Sequence, residues 1–452
     1  MSSERNKDSY IEVYFRPLES REGESWHGKW KYGTAIAIFC VIATVNVLSL
    51  ARSNHSLETT GKNTGDAVDL SQNLPLSKRD LTKHTPCGKR IVGYYTEFES
   101  IDITKNQVSK LTHAVFAYVE MTWEGKLRFK TDKAKQRFLS LKFKSKSVKT
   151  DVKVMISIGG YENSQHFSPV TEDSEKRKQF INSIAEFLKE HQIQGVDFYW
   201  KNIEEKDKWN YITFIRELRE KLNEESKGEK YLISLTIPPP GIANWEMGYD
   251  LEESLEDVDF FNVFSMDYYG PWENQWGNPA GPTSPLYSGP EGKTQFNVDS
   301  TMKYYICKSK QPNRFNIVIP FYARIWKNVD GPLETGKEVF RNVELKNNKA
   351  VGFPYMSRWT VADKGYNLTP ATFDEETKTS YIYNSKKRTF LTFECEKSIT
   401  AKTEYVNKMN LGGVWIWAVD MDDDKNSLLN AIASKEYCKS GAGNMIKYEC
   451  GN

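Results

Sequence analysis

"IQGVDFYWKN", Ile193 to Asn202, is the stretch on which the fold turns. In an extended strand successive side chains point to opposite sides, so Val196, Phe198 and Trp200 share one face while Asp197, Tyr199 and Lys201 share the other. Seven further apolar runs accompany it: "RIVGYYT" (90–96), "LTHAVFAYV" (111–119), "VKVMISIGG" (152–160), "YLISLTIP" (231–238), "DFFNVFSM" (259–266), "NIVIPFYA" (316–323) and "GGVWIWAVD" (412–420). These are near-continuous rather than cleanly alternating, and segments of helical composition such as "SEKRKQFINSIAEFLKEH" (174–191) separate most of them. Strands buried on both faces of a parallel sheet have this character. Eight such units predict an α/β fold, a (β/α)8 TIM barrel, with a three-layer open sheet as the alternative. The stretch from Trp326 to Arg388 is too long for one strand-to-helix connection and carries strand-like pieces of its own, which predicts a small inserted α+β subdomain.

Outward from the barrel, the N-terminus has a different character. "GTAIAIFCVIATVNVLSLA", Gly33 to Ala51, holds 19 residues without a charge, close to the ~20 that cross a bilayer as a helix. Arg16, Arg21, Lys29 and Lys31 precede it, and only Arg52 and Lys62 follow closely, so the positive-inside bias places residues 1–32 in the cytoplasm. One transmembrane signal-anchor (33–51), a flexible polar stalk (52–86), a barrel (87–437) and a C-terminal tail (438–452) are the expected order. The result would be a single-pass type II membrane protein with a lumenal or extracellular barrel. The alternative is a secreted product cleaved near Ala51, where Ser49 and Ala51 make a small-residue cleavage pattern.

Composition narrows the partners. Lys and Arg number 62 against 60 acidic residues, so no net field favours nucleic acid. Aromatic residues make up 13 %, with 12 Trp and 24 Tyr, a supply suited to stacking on flat apolar faces such as sugar rings. Cys87, Cys307, Cys395, Cys438 and Cys450 follow the apolar span, as expected in an oxidising compartment. Cys438 with Cys450, and Cys307 with Cys395, are the first guesses for pairing, although spacing leaves connectivity open. No cofactor is expected, and no metal either: Asp420, Asp422, Asp423 and Asp424 suggest a solvated loop rather than a site. Asn54 and Asn367 open N-x-[ST] sequons that an exterior location would expose to glycosylation.

The strand ends carry a family resemblance. "SIGG" (157–160), "QGVDFYWK" (194–201), "MDYY" (266–269), "PFYAR" (320–324) and "GGVWIWAVDMDD" (412–423) resemble, in order and spacing, the strand-end motifs of family 18 chitinases, over about Cys87 to Ala433. The membrane anchor and the degenerate fourth-strand motif narrow the similarity to the chitinase-like proteins of nematodes. The resemblance implies a TIM barrel with an inserted α+β domain and a cleft for N-acetylglucosamine polymers. The family's D-G-x-D-x-D-x-E falls here on Gln194, Gly195, Asp197, Tyr199 and Lys201, so the proton-donating Glu is Lys201 and the Asp that orients the substrate acetamide is Tyr199. Tyr269 likewise stands at a family Asp. A lysine is a poor proton donor to a glycosidic oxygen and opposes a developing oxocarbenium charge. The resemblance therefore implies a pseudoenzyme that binds chitin or related glycans, or an interaction or receptor module with a repurposed cleft; an active chitinase is the remaining alternative.

By resemblance Tyr94, Tyr118, Gly160, Tyr161, Met266, Tyr268, Tyr322, Arg324 and Trp417 line the cleft, with Trp417 as its floor. Tyr199 and Tyr269 are expected to fill the acetamido pocket, and the exchange of carboxylates for a cation predicts an electropositive cleft centre. Lys201 then needs Asp197, a tyrosine hydroxyl or an anion beside it. Glu204 and Glu205 are expected to turn away on a loop rather than replace the lost acid.

Overall fold

The computed structural model describes residues 89–450, apart from 227, 229, 243–244, 435–436 and 438–447. The apolar span at 33–51, the stalk, the sequon at Asn54, and Cys40, Cys87 and Cys438 lie outside the described residues. Among the described residues no helix is long and apolar enough to cross a membrane.

Among the described residues sixteen strands run in chain order: β1 (Arg90–Thr96), β2 (His113–Met121), β3 (Leu127–Arg128), β4 (Lys153–Gly159), β5 (Gly195–Tyr199), β6 (Leu232–Ile237), β7 (Phe260–Val263) and β8 (Phe315–Pro320); then β9 (Tyr322–Lys327), β10 (Val329–Pro332), β11 (Arg341–Val343), β12 (Gly352–Ser357), β13 (Thr372–Asp374), β14 (Thr379–Asn384), β15 (Thr389–Phe393) and β16 (Gly413–Trp417). Parallel pairing in the order β1-β16-β8-β7-β6-β5-β4-β2, closed by β1 against β2, makes an eight-stranded barrel. Each of the eight apolar runs supplies one of its strands. Helices at 132–147, 174–191, 208–225, 298–309 and 396–408 pack around it.

Local sequence explains the elements that aim the mouth. The helix Ser174–His191 opens on Asp173, whose side chain accepts from the backbone N–H groups of Glu175 and Lys176, and it ends where Gln192 turns left-handed. Its Phe180 stacks on Phe214 and meets Phe198 edge-on, so the outward face of β5 is locked between two helices. The inward face is then forced to carry Asp197. The register sets Asp197 opposite Ser157 of β4 and Ser234 of β6, and both hydroxyls donate to it at 2.7 Å.

A second layer comes from the segment between β8 and the last barrel strand. β9 begins at Tyr322 and pairs with β12 and β15, which continues to β14 and β13, giving a five-stranded antiparallel sheet beside a β10–β11 pair. This layer runs from Tyr322 to Phe393, a few residues beyond each end of the 326–388 segment expected from sequence, because the strand-like "YAR" after Phe321 belongs to it. Tyr322, Tyr381 and Phe390 are buried in this layer or where it meets the barrel.

The cysteine pairing differs from the first guess. Cys307 bonds Cys450 across 143 residues, and Cys395 is a free thiol hydrogen-bonded to Ser380 at 3.0 Å. Sequence proximity misled here: the segment at 448–450 returns onto the helix Val298–Ser309, where the Tyr448 hydroxyl meets Asp299 and Tyr405, and this delivers Cys450 to Cys307.

Candidate functional site

The C-terminal strand ends converge on two cavities that share one wall, the ring of Tyr199. The larger, about 150 Å³, is lined by Glu97, Phe98, Tyr118, Glu120, Lys130, Gly159, Tyr161, Glu162, Asn163, Tyr199, Tyr355 and Trp417. The smaller, about 30 Å³, is lined by Tyr199, Trp200, Lys201, Asn202, Pro238, Pro239, Ile242, Tyr249, Phe264, Met266 and Asp267. Tyr199 is held in place by stacking on Phe264, with centroids 5.7 Å apart. The floor of the larger cavity is aromatic: Trp417 lies 6.0 Å from Tyr118 with planes tilted 33°. Gly160 makes this possible. Its φ of +79° is in the glycine region, and a Cβ there would come within 2.6 Å of the Tyr118 ring.

Lys201 is the chemical anomaly of the mouth. Its backbone N–H donates to Ser164 Oγ at 2.8 Å, its side chain is 9 % exposed, and its ammonium stands 3.9 Å from the Tyr161 ring centroid. Burial lowers its pKa to about 7, partly opposed by the charge of Asp267. Asp267 is in turn ion-paired with the fully buried Arg324 and accepts from the Tyr322 hydroxyl. Lys201 thus faces the Tyr161 ring and the charge of Asp267; Asp197, one of the three partners expected from sequence, is enclosed lower in the barrel by Ser157, Ser234, Thr236 and Asn262. Burial raises the Asp197 pKa, and hydrogen bonds from Ser234, Ser157, Tyr94 and Asn262 oppose the rise.

The lining on the other side of Tyr199 has a different composition. Three glutamates and one lysine line the larger cavity, whereas Lys201, on which the expectation of an electropositive centre rests, lines the smaller one. Glu97 follows β1, Glu120 is the penultimate residue of β2 and Glu162 follows β4, none of them within a strand-end motif. Glu162 is paired with Lys130, and Glu120 with Arg128 at 2.7 Å. Burial raises the Glu97 pKa to about 7; Lys130 lowers it, and Glu162 and Glu120 raise it further.

The sequence model of glycosyl hydrolases family 18 matches residues 90–422. The chain belongs to that family. Among curated relatives of this family 18 chain, human chitinase-3-like protein 2 is 28 % identical over 280 residues, covering 60 % of this chain and 70 % of that one. The Manduca sexta endochitinase is 27 % identical over 361 residues, 72 % of this chain and 62 % of that one. Among solved structures, an immunomodulatory active chitinase from Trichuris suis superposes with a TM-score of 0.65 at 21 % identity, covering 78 % of this chain and 96 % of that one. Human YKL-39, described as a pseudo-chitinase with retained chitooligosaccharide binding, superposes with a TM-score of 0.65 at 22 % identity, covering 76 % and 98 %. At these identities the two structures speak for the barrel fold.

The expected site residues of the family 18 chain divide into two groups. Tyr118, Gly160, Tyr161, Tyr199, Lys201, Met266 and Trp417 stand at or beside the cavities. Others face inward. The Tyr94 hydroxyl bonds Thr236 at 3.1 Å, Tyr268 donates to the Asn297 carbonyl at 3.0 Å, and Tyr322 and Arg324 close on Asp267 beneath the smaller cavity. Gln194 pins the foot of β5, accepting from Val154 N–H at 2.8 Å. Tyr269 packs on Phe340, 5.3 Å between centroids, and lines neither cavity, so of the two tyrosines expected to fill the pocket only Tyr199 borders the cavities. Glu204 is exposed and pairs with Lys206, away from the mouth. The aspartates after β16 divide: Asp420 is buried on Arg137 at 2.7 Å and the buried Asp422 accepts from the N–H groups of Leu428 and Leu429, neither of them solvated, whereas Asp423 is half-buried and Asp424 is exposed as expected. Asn367 is exposed. Sequence reasoning passed over Glu97, Glu120, Glu162 and Tyr355. The last arrives from β12, and its hydroxyl bonds Glu99 at 2.7 Å.

Proposed function

We propose that this family 18 protein is catalytically inactive and binds chitin or other N-acetylglucosamine-containing glycans at the barrel mouth. The observation that carries the reading is the pairing of an aromatic-floored cavity on Trp417 and Tyr118 with Lys201 and Tyr199 at the end of β5. Aromatic faces stack on the apolar faces of pyranose rings. Lys201, held near neutrality by burial, supplies neither a carboxylic acid for the leaving oxygen nor a negative charge for a cationic intermediate. The retained chitooligosaccharide binding described for YKL-39 supports the same reading. A repurposed cleft serving an interaction or receptor module is the second reading, favoured by the Tyr199 wall, which splits the mouth in two. We further propose that residues 33–51 anchor the barrel to a membrane on its exterior face, on the strength of that uncharged span and the basic residues before it.

Titration with a chitin tetramer followed by calorimetry tests the binding reading. Parallel runs use Trp417→Ala and, because Trp417 also contacts the core, Tyr161→Ala. Saturable binding weakened about tenfold or more in either variant is expected. Unaltered affinity in both variants, or release of sugar from the tetramer by the unmodified protein, contradicts the proposal.

A further inference from the structure

The larger cavity combines features that a neutral acetamido sugar does not use. Two of its glutamates already hold countercharges, Glu162 on Lys130 and Glu120 on Arg128. Glu97 differs: among the described residues no hydrogen bond or ion pair reaches its half-buried carboxylate; the cation that acts on it most strongly, Lys130, is already paired with Glu162, and Lys133 donates to the Phe98 carbonyl at 2.9 Å. A carboxylate withdrawn from water without a partner is costly, and an arriving cation offsets that cost. Around it stand Tyr118, Tyr355 and Trp417, whose ring faces attract cations by their quadrupoles. The Lys201 ammonium does not supply the charge, because it lines the smaller cavity and faces Tyr161 and Asp267.

We infer that the larger cavity takes a cationic amino sugar, a de-N-acetylated glucosamine unit whose ammonium pairs with Glu97 among the aromatic faces. The inference rests on the glycan-binding reading above and specifies its ligand. An acetamido group carries no charge for Glu97 to neutralise. A glucosamine unit presents the same pyranose face to Trp417 and adds the ammonium.

Calorimetric titration of the full chain at pH 7 with tetramers of glucosamine and of N-acetylglucosamine tests it. The glucosamine tetramer is expected to bind about tenfold more tightly, with the advantage shrinking at high salt. In Glu97→Gln the ratio of the two affinities is expected to fall close to one, and Glu97→Asp, which keeps the charge, to retain part of it. Equal affinities, or tighter binding of the acetylated tetramer, overturn the inference and leave the glycan-binding reading standing. A preference for glucosamine that survives in Glu97→Gln also overturns it, because the cation is then held by other acidic residues. Binding of neither tetramer removes both the inference and the reading beneath it.

Discussion

Removing the charge of Lys201 should stabilise the protein, and the gain should depend on pH. The side chain is 9 % exposed and burial depresses its pKa from 10.5 to about 7. In the unfolded chain the amine keeps its ordinary value. Between pH 7 and 10.5 the unfolded state therefore binds a proton that the folded state does not, so stability is lost as pH falls through this window and the full loss is reached below about pH 7. The gap corresponds to roughly 5 kcal/mol at ~1.4 kcal/mol per tenfold. The Tyr161 face 3.9 Å from the ammonium favours the charged form, by about 0.5–2 kcal/mol, which leaves about 3–4.5 kcal/mol. Lys201→Met keeps an unbranched chain of similar length in the same space and removes the titration. Guanidinium unfolding at pH 7 should show the variant about 3–4.5 kcal/mol more stable, and at pH 10 the difference should fall to about 1 kcal/mol or less. Competitive acetylation of the native protein, resolved by peptide mass spectrometry, should place the Lys201 amine close to pH 7. A Lys201→Met gain that is the same at both pH values, or a loss at pH 7, refutes the reasoning.

Two further outcomes follow from the geometry of the mouth and the charge of the N-terminus. Lys201→Glu alone should release no sugar from chitin oligomers beyond about twofold over background, because Tyr199 stays clamped on Phe264 and residues acting as a unit contribute non-additively; any turnover should need Tyr199→Asp together with Lys201→Glu. Adding Tyr269→Asp should not help, since that ring packs on Phe340 away from both cavities, and a fluorogenic chitobiose assay that finds activity in the single variant would show that Tyr199 is no obstacle. In sealed microsomes, protease should trim the N-terminus and spare the barrel, with the exposed Asn367 carrying glycan; a protected N-terminus, or a secreted product beginning near Arg52, would contradict the anchor.

The barrel was legible because its information is local. Each run of β-branched and aromatic residues declares a strand by its own composition, and eight of them spaced by helical segments leave few topologies. The same holds for the face that carries Asp197 and Tyr199, since alternation along β5 needs no knowledge of its neighbours. Lys201 was visible as an odd residue at a strand end, but its neighbour was not, because Tyr161 and Asp267 reach it from loops 40 and 66 residues away in sequence. Tyr199 and Tyr269 looked alike in sequence and part company in space: one is a shared wall of the mouth, the other is absorbed under the inserted sheet. Glu97 and Glu162 lie in loops and Glu120 at the end of β2, and a glutamate at such a place is indistinguishable from a solvated one until the ends of β1, β2 and β4 are brought together. The cysteines show the same limit, for Cys307 meets Cys450 only after the chain has closed the barrel and returned. Strand identity depends on a residue's chain neighbours, which the sequence states. The sign of the charge in a cavity depends on which loops converge, and only packing of the closed barrel decides that.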